Sequence, residues 1–283
     1  SNIYKNEPTY FDFNKLLCMH NNFNYFFIFV FYIKIMKILV CISCVPDTTS
    51  KINFKDNDTV FDDQGVQFVI NPNDEFGLTR SIWFKEKIGA TVDVLHVGEA
   101  SADSTLRKAL AIGADKAIRI DIPATDAFVV ADQISNYIQE NPYDLIIAGR
   151  ESIDYNGSMV PGIISAKCDL AFVNTCVKLE IEGSTATATR EMDGGMEVLR
   201  AELPLIIGSQ KGLVEETDLR IPNMRGIIQA RQKPLAVIPA IESSPKTAIS
   251  SFEKPAPKAA VKLVPADDID QLIDLLENEA KVL

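Results

Sequence analysis

From residue 37 onward the chain alternates short apolar runs with longer amphipathic stretches. The runs "KILVCIS" (37–43), "TVDVLHVG" (91–98), "KAIRIDI" (116–122) and "YDLIIAG" (143–149) are of strand type. The last is almost unbroken, as strands buried on both faces are. Residues 73–88 place Phe76, Ser81, Trp83, Phe84 and Ile88 at roughly helical spacing behind an Asn/Asp cap. Residues 101–113 end on Gly113, and residues 125–140 begin with a Thr/Asp cap, so both read as helices. Strand, helix, strand, helix predicts an α/β fold with a doubly wound, mostly parallel, Rossmann-like sheet.

After residue 171 the rhythm shortens. "FVNTCVKLEIEG", "STATATREMDGG" and "MEVLRAELPLIIGS" are consecutive strand-like stretches broken at Gly183-Ser184 and Gly194-Gly195, which predicts antiparallel strands added to the sheet. Residues 222–234 read as a short helix with proline at its start. A tether rich in Pro, Ser, Ala and Lys follows over 242–260, and then an amphipathic helix striped by Ile269, Leu272, Ile273, Leu275 and Leu276. Such a stripe either folds back on its own core or lies on a partner chain, and amphipathicity alone does not separate the two. The domain reading is therefore an α/β domain over 36–240 and a C-terminal arm with a helix over 241–283.

Residues 1–35 differ from the rest, being rich in Asn, Phe and Tyr. Their aromatic run, 25–33, is shorter than the roughly 20 residues a membrane helix needs, and they lack the basic start and small-residue cleavage site of a signal peptide. The strand beginning directly after Met36 makes a start assigned too early the favoured reading of this leader, so function is expected beyond it. A net charge of −11 argues against a nucleic-acid partner, because phosphate backbones recruit basic surfaces. The five cysteines, odd in number and irregularly spaced, fit a reducing compartment, and the cytoplasm is expected.

Ligands of doubly wound sheets bind at the carboxyl ends of the strands. The polar, glycine-bearing stretch "GRESIDYNGSMVPG" (149–162) follows the most apolar strand, and free amides entering the helix that begins near Ser158 would favour a phosphate. Gly149, Gly157 and Ser158 permit close approach of main chain. "NPND" (71–74) opens the first helix and would rim the same crevice. Other chemistry is thin. Cys41 and Cys44 form a CxxC at a strand end rather than a helix start, which favours packing over redox or metal roles. His96 sits in an apolar strand, where packing is the simpler role, and no catalytic triad, carboxylate pair or metal-ligating cluster assembles.

The ordered motifs "MKILVCIS", "NPNDEFGL", "KALAIGADKAIRI", "DLIIAGRESID", "TREMDGGMEVLRAELPLII" and "IPNMRGIIQARQKP" resemble the beta subunit of electron transfer flavoprotein over residues 36–240. Most specific is Arg190-x-x-Asp193-Gly194-Gly195-x-Glu197 followed by Pro204. The resemblance implies an adenine-nucleotide-binding fold, an alpha-subunit partner, a bound AMP, and an FAD held mostly by the alpha subunit. By position, the AMP contacts would be Cys41; Asn71, Pro72, Asn73 and Asp74; Val97; and Gly149, Arg150, Glu151, Ser152, Ile153, Asp154, Tyr155, Asn156, Gly157, Ser158, Met159 and Val160. The family often has Gln-Ala-Ile-Asp-Asp-Asp where this chain has residues 151–156, so main-chain contacts are the ones expected there.

Residues 208–233 resemble the family's recognition loop for acyl-CoA dehydrogenases, with Ile221 as anchor beside Pro222, Asn223 and Met224. The bland alternative is that Ile221 staples the following helix. Two further readings stay open: an electron-bifurcating subunit with a second FAD in the AMP place and NADH as donor, and a stress-type nucleotide-binding module with no redox role.

Overall fold

The computed structural model describes residues 35–257 and 260–283, so nearly all of the expected leader lies outside the described residues. Seven parallel strands form the centre of a nine-stranded sheet. They are β1 (Lys37–Cys41), β6 (Thr91–Val97), β7 (Lys116–Asp121), β8 (Leu145–Gly149), β9 (Ala171–Glu182), β12 (Leu205–Ser209) and β13 (Leu235–Pro239). Two antiparallel strands, β10 (Thr185–Met192) and β11 (Gly195–Glu202), extend one edge, giving the order β11-β10-β9-β12-β8-β1-β6-β7-β13. Two short antiparallel pairs lie outside this sheet: β2 (Cys44–Pro46) with β5 (Phe68–Ile70), and β3 (Asn53–Lys55) with β4 (Val60–Asp62).

The period-2 alternation of β1 builds both faces of the core. Ile38, Val40 and Ile42 join Val94, Ile147 and Ile207 beneath α1 (Pro72–Ile88) and α2 (Asp103–Ile112). Leu39 and Cys41 join Val97, Ile146 and Ile206 beneath α3 (Ala127–Glu140) and α4 (Val160–Cys168). Helices on both faces make the sheet doubly wound, as the pattern predicts. All five residues of β8 and all five of β12 are buried, which explains their unbroken apolar sequences. The helix spacing is equally direct: Gly77 of α1 packs so closely that a Cβ there would fall 2.5 Å from the Ile147 side chain.

The hairpin expectation after residue 171 needs one correction. Strands β9, β10 and β11 are an antiparallel meander, but "MEVLRAELPLIIGS" is not one strand. It breaks at the cis Leu203-Pro204 bond, and its second half, β12, inserts parallel between β8 and β9. Proline carries no N–H for a ladder, so the break falls where the chain changes partner.

Along the other edge, α5 (Met224–Ala230) packs on α2. Arg107 donates to Ala230 O and Lys233 O, both at 2.7 Å, while Lys233 Nζ returns to Leu110 O and Ala114 O at 2.9 and 2.6 Å. The C-terminal arm is not a free tether over its first part. Gln133, 2% exposed, exchanges two hydrogen bonds with the Ile241 main chain, and Asp126, the α3 cap, also accepts from Lys246 N and Thr247 N. Phe252 then stacks on Phe54 with ring centroids 4.6 Å apart. Beyond it, α6 (Ile269–Asp274) and a π-helical turn (Leu275–Glu279) bury no residue.

Candidate functional site

The chain runs β1, β6, β7 to one side of β1 and then places β8 on the other, so the topological switch lies between the carboxyl ends of β1 and β8. Adjacent connections there leave in opposite directions and open a crevice. The polar loop 150–159 emerges at this point and enters α4.

A buried clasp holds the crevice in shape. Asp74, 2% exposed, accepts Ser43 N through Oδ2 and Gly149 N through Oδ1, both at 2.7 Å, and so joins the ends of β1 and β8. Burial pushes its carboxyl up to about 7 despite those two donors and Asn71. Asn71 is fully buried and stands at the cap position of α1, but its side chain caps nothing there. Its Nδ2 instead donates to Glu151 O at 2.9 Å and its Oδ1 accepts Ile153 N at 3.2 Å. Asn73 Nδ2 donates to the same Glu151 O at 3.0 Å, and Pro72 starts the helix, where a missing N–H costs nothing. "NPND" thus ties the loop down from beneath, with the polar atoms of Asn71 and Asp74 already spent on protein groups.

Gly149 is the residue this clasp demands. A Cβ there would lie 2.3 Å from Asp74 Oδ1 and 2.9 Å from Asn71 Nδ2. Gly157, by contrast, has nothing within 4 Å of its would-be Cβ, and its φ lies outside the left-handed range. The left-handed positions are its neighbours, Asn156 and Ser158, both at φ 50°. Left-handed Ser158 is followed by right-handed Met159 (φ −98°, ψ −38°). That succession turns consecutive N–H groups into one concavity. Among the described residues, the N–H groups of Gly157, Ser158, Met159 and Val160 donate to no main-chain or side-chain acceptor. Asp154, Tyr155 and Met159 face solvent, and Arg150 and Ser152 are half-buried.

Cys41 and Val97, at 6% and 3% exposure, end the neighbouring strands β1 and β6 and pack in the core cluster beneath α3 and α4. Burial raises both CxxC thiols, Cys44 to about 11, so they are protonated at neutral pH and pack rather than react. His96 Nδ1 donates to Ile42 O at 2.8 Å, and burial lowers its pKa, leaving a neutral, packed imidazole. Arg119 donates to Gly98 O at 3.0 Å and to Asp103 and Asp121, bracing the turn after β6.

Sequence reasoning missed Ser43, Ser209 and Gln210. Ser209 Oγ donates to Asn73 O at 2.8 Å, Arg150 N to Ser209 O at 2.9 Å, and Arg150 Nη1 to Gln210 Oε1 at 3.1 Å. Ser43 stands just past β1, whereas only the insertion of β12 beside β8 brings Ser209 and Gln210 to the loop, and no local pattern announces it.

The candidate partner segment lies elsewhere, at the start of α5. Ile221 is 83% exposed and Met224 75% exposed, so Ile221 does not staple the helix. Asn223 caps it, its Oδ1 accepting Gly226 N at 2.8 Å, and Pro222 lines a groove of about 650 Å³ between α2 and α5.

Comparison with known proteins agrees with this architecture. A family model described as "Electron transfer flavoprotein domain" matches residues 58–243. The chain is 32% identical over 262 residues to "Electron transfer flavoprotein subunit beta" of Bacillus subtilis (strain 168), covering 88% of this chain and 100% of that protein. It is 36% identical over 253 residues to the protein of the same name from Syntrophomonas wolfei, covering 87% and 98% respectively. It is 27% identical over 245 residues to the Homo sapiens protein, covering 83% and 95%. No helix among the described residues is long and apolar enough to cross a membrane. With the sheet, the switch-point crevice and matches along most of its length in agreement, the chain belongs to the electron transfer flavoprotein family, as a beta subunit.

Proposed function

We propose that this subunit pairs with an alpha subunit and binds AMP in the crevice between β1 and β8, while helping to hold an FAD whose larger share of contacts comes from the alpha subunit. The observation that carries the AMP reading is the row of uncommitted N–H groups at Gly157, Ser158, Met159 and Val160 above the Asp74 clasp. Such a donor set suits a phosphate: the amides are fixed, carry partial positive charge and need no reorganisation to receive an anion. Gly149, Cys41 and Val97 would offer small or apolar surface to the rest of the nucleotide. Asn71 and Asp74 act through the loop, whose shape they hold, rather than by direct contact. When bound, the FAD supplies the redox chemistry, accepting electrons from a donor and passing them on; this chain's residues position and shield.

Electron delivery by acyl-CoA dehydrogenases is part of the same reading. Ile221 and Met224 present exposed apolar side chains at the start of α5, whose C-terminal end is fastened to α2, and Asn223 caps its entry. An apolar tip on a fixed base loses little entropy on docking.

The test is to purify the heterodimer gently, denature it and identify released nucleotides by mass. AMP together with FAD is the expected result. Two FAD per heterodimer and no AMP would assign the bifurcating arrangement instead. Absence of any adenine nucleotide, with no thermal shift on adding AMP, ADP or FAD, would remove the cradle reading.

A further inference from the structure

A chain of hydrogen bonds leads from the loop to the β10–β11 hairpin through one buried amide. Ser158 Oγ donates to Glu151 Oε2 at 2.9 Å, and Glu151 Oε1 accepts from Arg150 Nη2 and Nε at 2.8 and 3.2 Å. Arg150 Nη1 donates to Gln210 Oε1 at 3.1 Å, and Gln210 Nε2 donates to Glu191 Oε2 at 2.7 Å. Gln210 is 5% exposed and stands between a guanidinium and a carboxylate. Its amide can be placed only one way round: reversed, NH₂ would face the cation and oxygen the anion. Gln210 alone among these residues is buried, and a bond broken at its amide is costly.

The far end of the chain is held under strain. Thr175, β-branched, sits at φ 47° in the left-handed region, and its Oγ1 donates to Glu191 O at 2.7 Å. Beside it the β9–β12 register slips between Ile207 and Ser209, and a Cβ on Gly208 would fall 2.2 Å from Asn174 Oδ1. A β-branched residue persists in that conformation only where its surroundings over-determine it. The hairpin itself is exposed, with Met192 and Met196 at 46% and 63%, so the core does not hold its tip.

We propose that Gln210 is a positioning residue that couples the nucleotide-binding loop to the β10–β11 hairpin, so that a phosphate held at the loop also orders the Glu191 corner. This rests on the nucleotide reading of the loop. An anion at the Ser158 amide restrains Ser158, and through it Glu151, Arg150 and the Gln210 amide. The hairpin then presents its exposed methionines to a partner in one arrangement rather than several.

Amide hydrogen exchange on the nucleotide-stripped heterodimer, with and without AMP, tests this. In the unmodified protein AMP is expected to slow exchange in peptides covering 150–160 and also in those covering 188–200. In Gln210→Leu the loop response should persist while the hairpin response is lost, with AMP affinity lowered about 2- to 30-fold, the range for a residue inside a coupling network. Glu191→Ala breaks the same chain from an exposed position and should give the same split even if Gln210→Leu folds poorly. A hairpin that answers AMP in Glu191→Ala as in the unmodified protein overturns the coupling. So does an unmodified protein whose loop responds and whose hairpin does not. No response in either peptide of the unmodified protein overturns the nucleotide reading and the coupling with it.

Discussion

At the scale of single residues, the crevice depends on the missing side chain of Gly149 and on the buried charge of Asp74. Gly149→Ala would press a methyl group onto Asp74 Oδ1, 2.3 Å away, so it should destabilise the fold by about 1–3 kcal/mol and lower nucleotide content. Gly157→Ala meets open space and should change stability by less than about 0.5 kcal/mol. Thermal melting of the two variants side by side checks the contrast. Asp74 predicts a pH dependence with a definite sign. Its folded carboxyl titrates at about 7, above the unfolded value, so between about pH 4 and 7 the folded state binds the extra proton. Stability therefore falls as pH rises through that window, by up to about 1.4 kcal/mol per unit from this group. Urea unfolding at half-unit pH steps should show the slope in the unmodified protein and its loss in Asp74→Asn. That variant should also be weaker at low pH, because an amide has one acceptor for the two donors, Ser43 N and Gly149 N.

At the scale of elements, α5 and the loop before it divide holding from presenting. The base is locked: a Cβ on Gly226 would come 2.4 Å from Ala111 O, and Arg107 and Lys233 bind across the α2–α5 seam. The tip is not, since Ile221 is 83% exposed. Ile221→Ala should accordingly leave melting temperature, subunit assembly and the flavin spectrum unchanged. If the residue is an anchor for a dehydrogenase, its loss should weaken docking by about 2 to 4 kcal/mol, or roughly 30- to 1,000-fold. Reduction of the holoprotein by a substrate-loaded acyl-CoA dehydrogenase, measured across dehydrogenase concentrations, reads this as a raised half-saturation with little change in the saturated rate. An unchanged concentration dependence would show that Ile221 takes no part in docking.

At the scale of the whole molecule, the C-terminal arm is two things in series. Residues 241–254 are clipped to Gln133, Asp126 and the β3–β4 pair, whereas α6 and the turn after it bury nothing. Amide exchange on the chain alone should therefore be slow at Ile241, Lys246, Thr247 and Phe252, whose N–H groups are bonded, and fast over 269–279. If the exposed stripe of Ile269, Leu272 and Ile273 belongs on the alpha subunit, adding that subunit should protect 269–279 and leave the clipped segment as it was. Equal exchange of the two segments in the chain alone would contradict the clipped geometry.

The sequence by itself determined the elements whose local pattern is strong. Apolar runs at 37–43, 91–98, 116–122 and 143–149 became strands, and the alternation of strand and helix dictated a doubly wound sheet, because periodicity reports which face of an element must be buried. The loop after β8 was legible as the candidate site for the same reason that its composition is odd: polar, small residues follow the most apolar strand. Order within the sheet was not legible. Nothing in "PLIIGS" says that it pairs between β8 and β9, since an apolar strand buried on both faces suits any interior position. From that one placement follow Ser209 and Gln210 beside the loop. Tertiary contact also diverted Asn71 from capping its helix to holding Glu151 and Ile153, and made Gly149 rather than Gly157 the glycine that cannot change. These are outcomes of distance between residues far apart in the chain, which a pattern of neighbours does not encode.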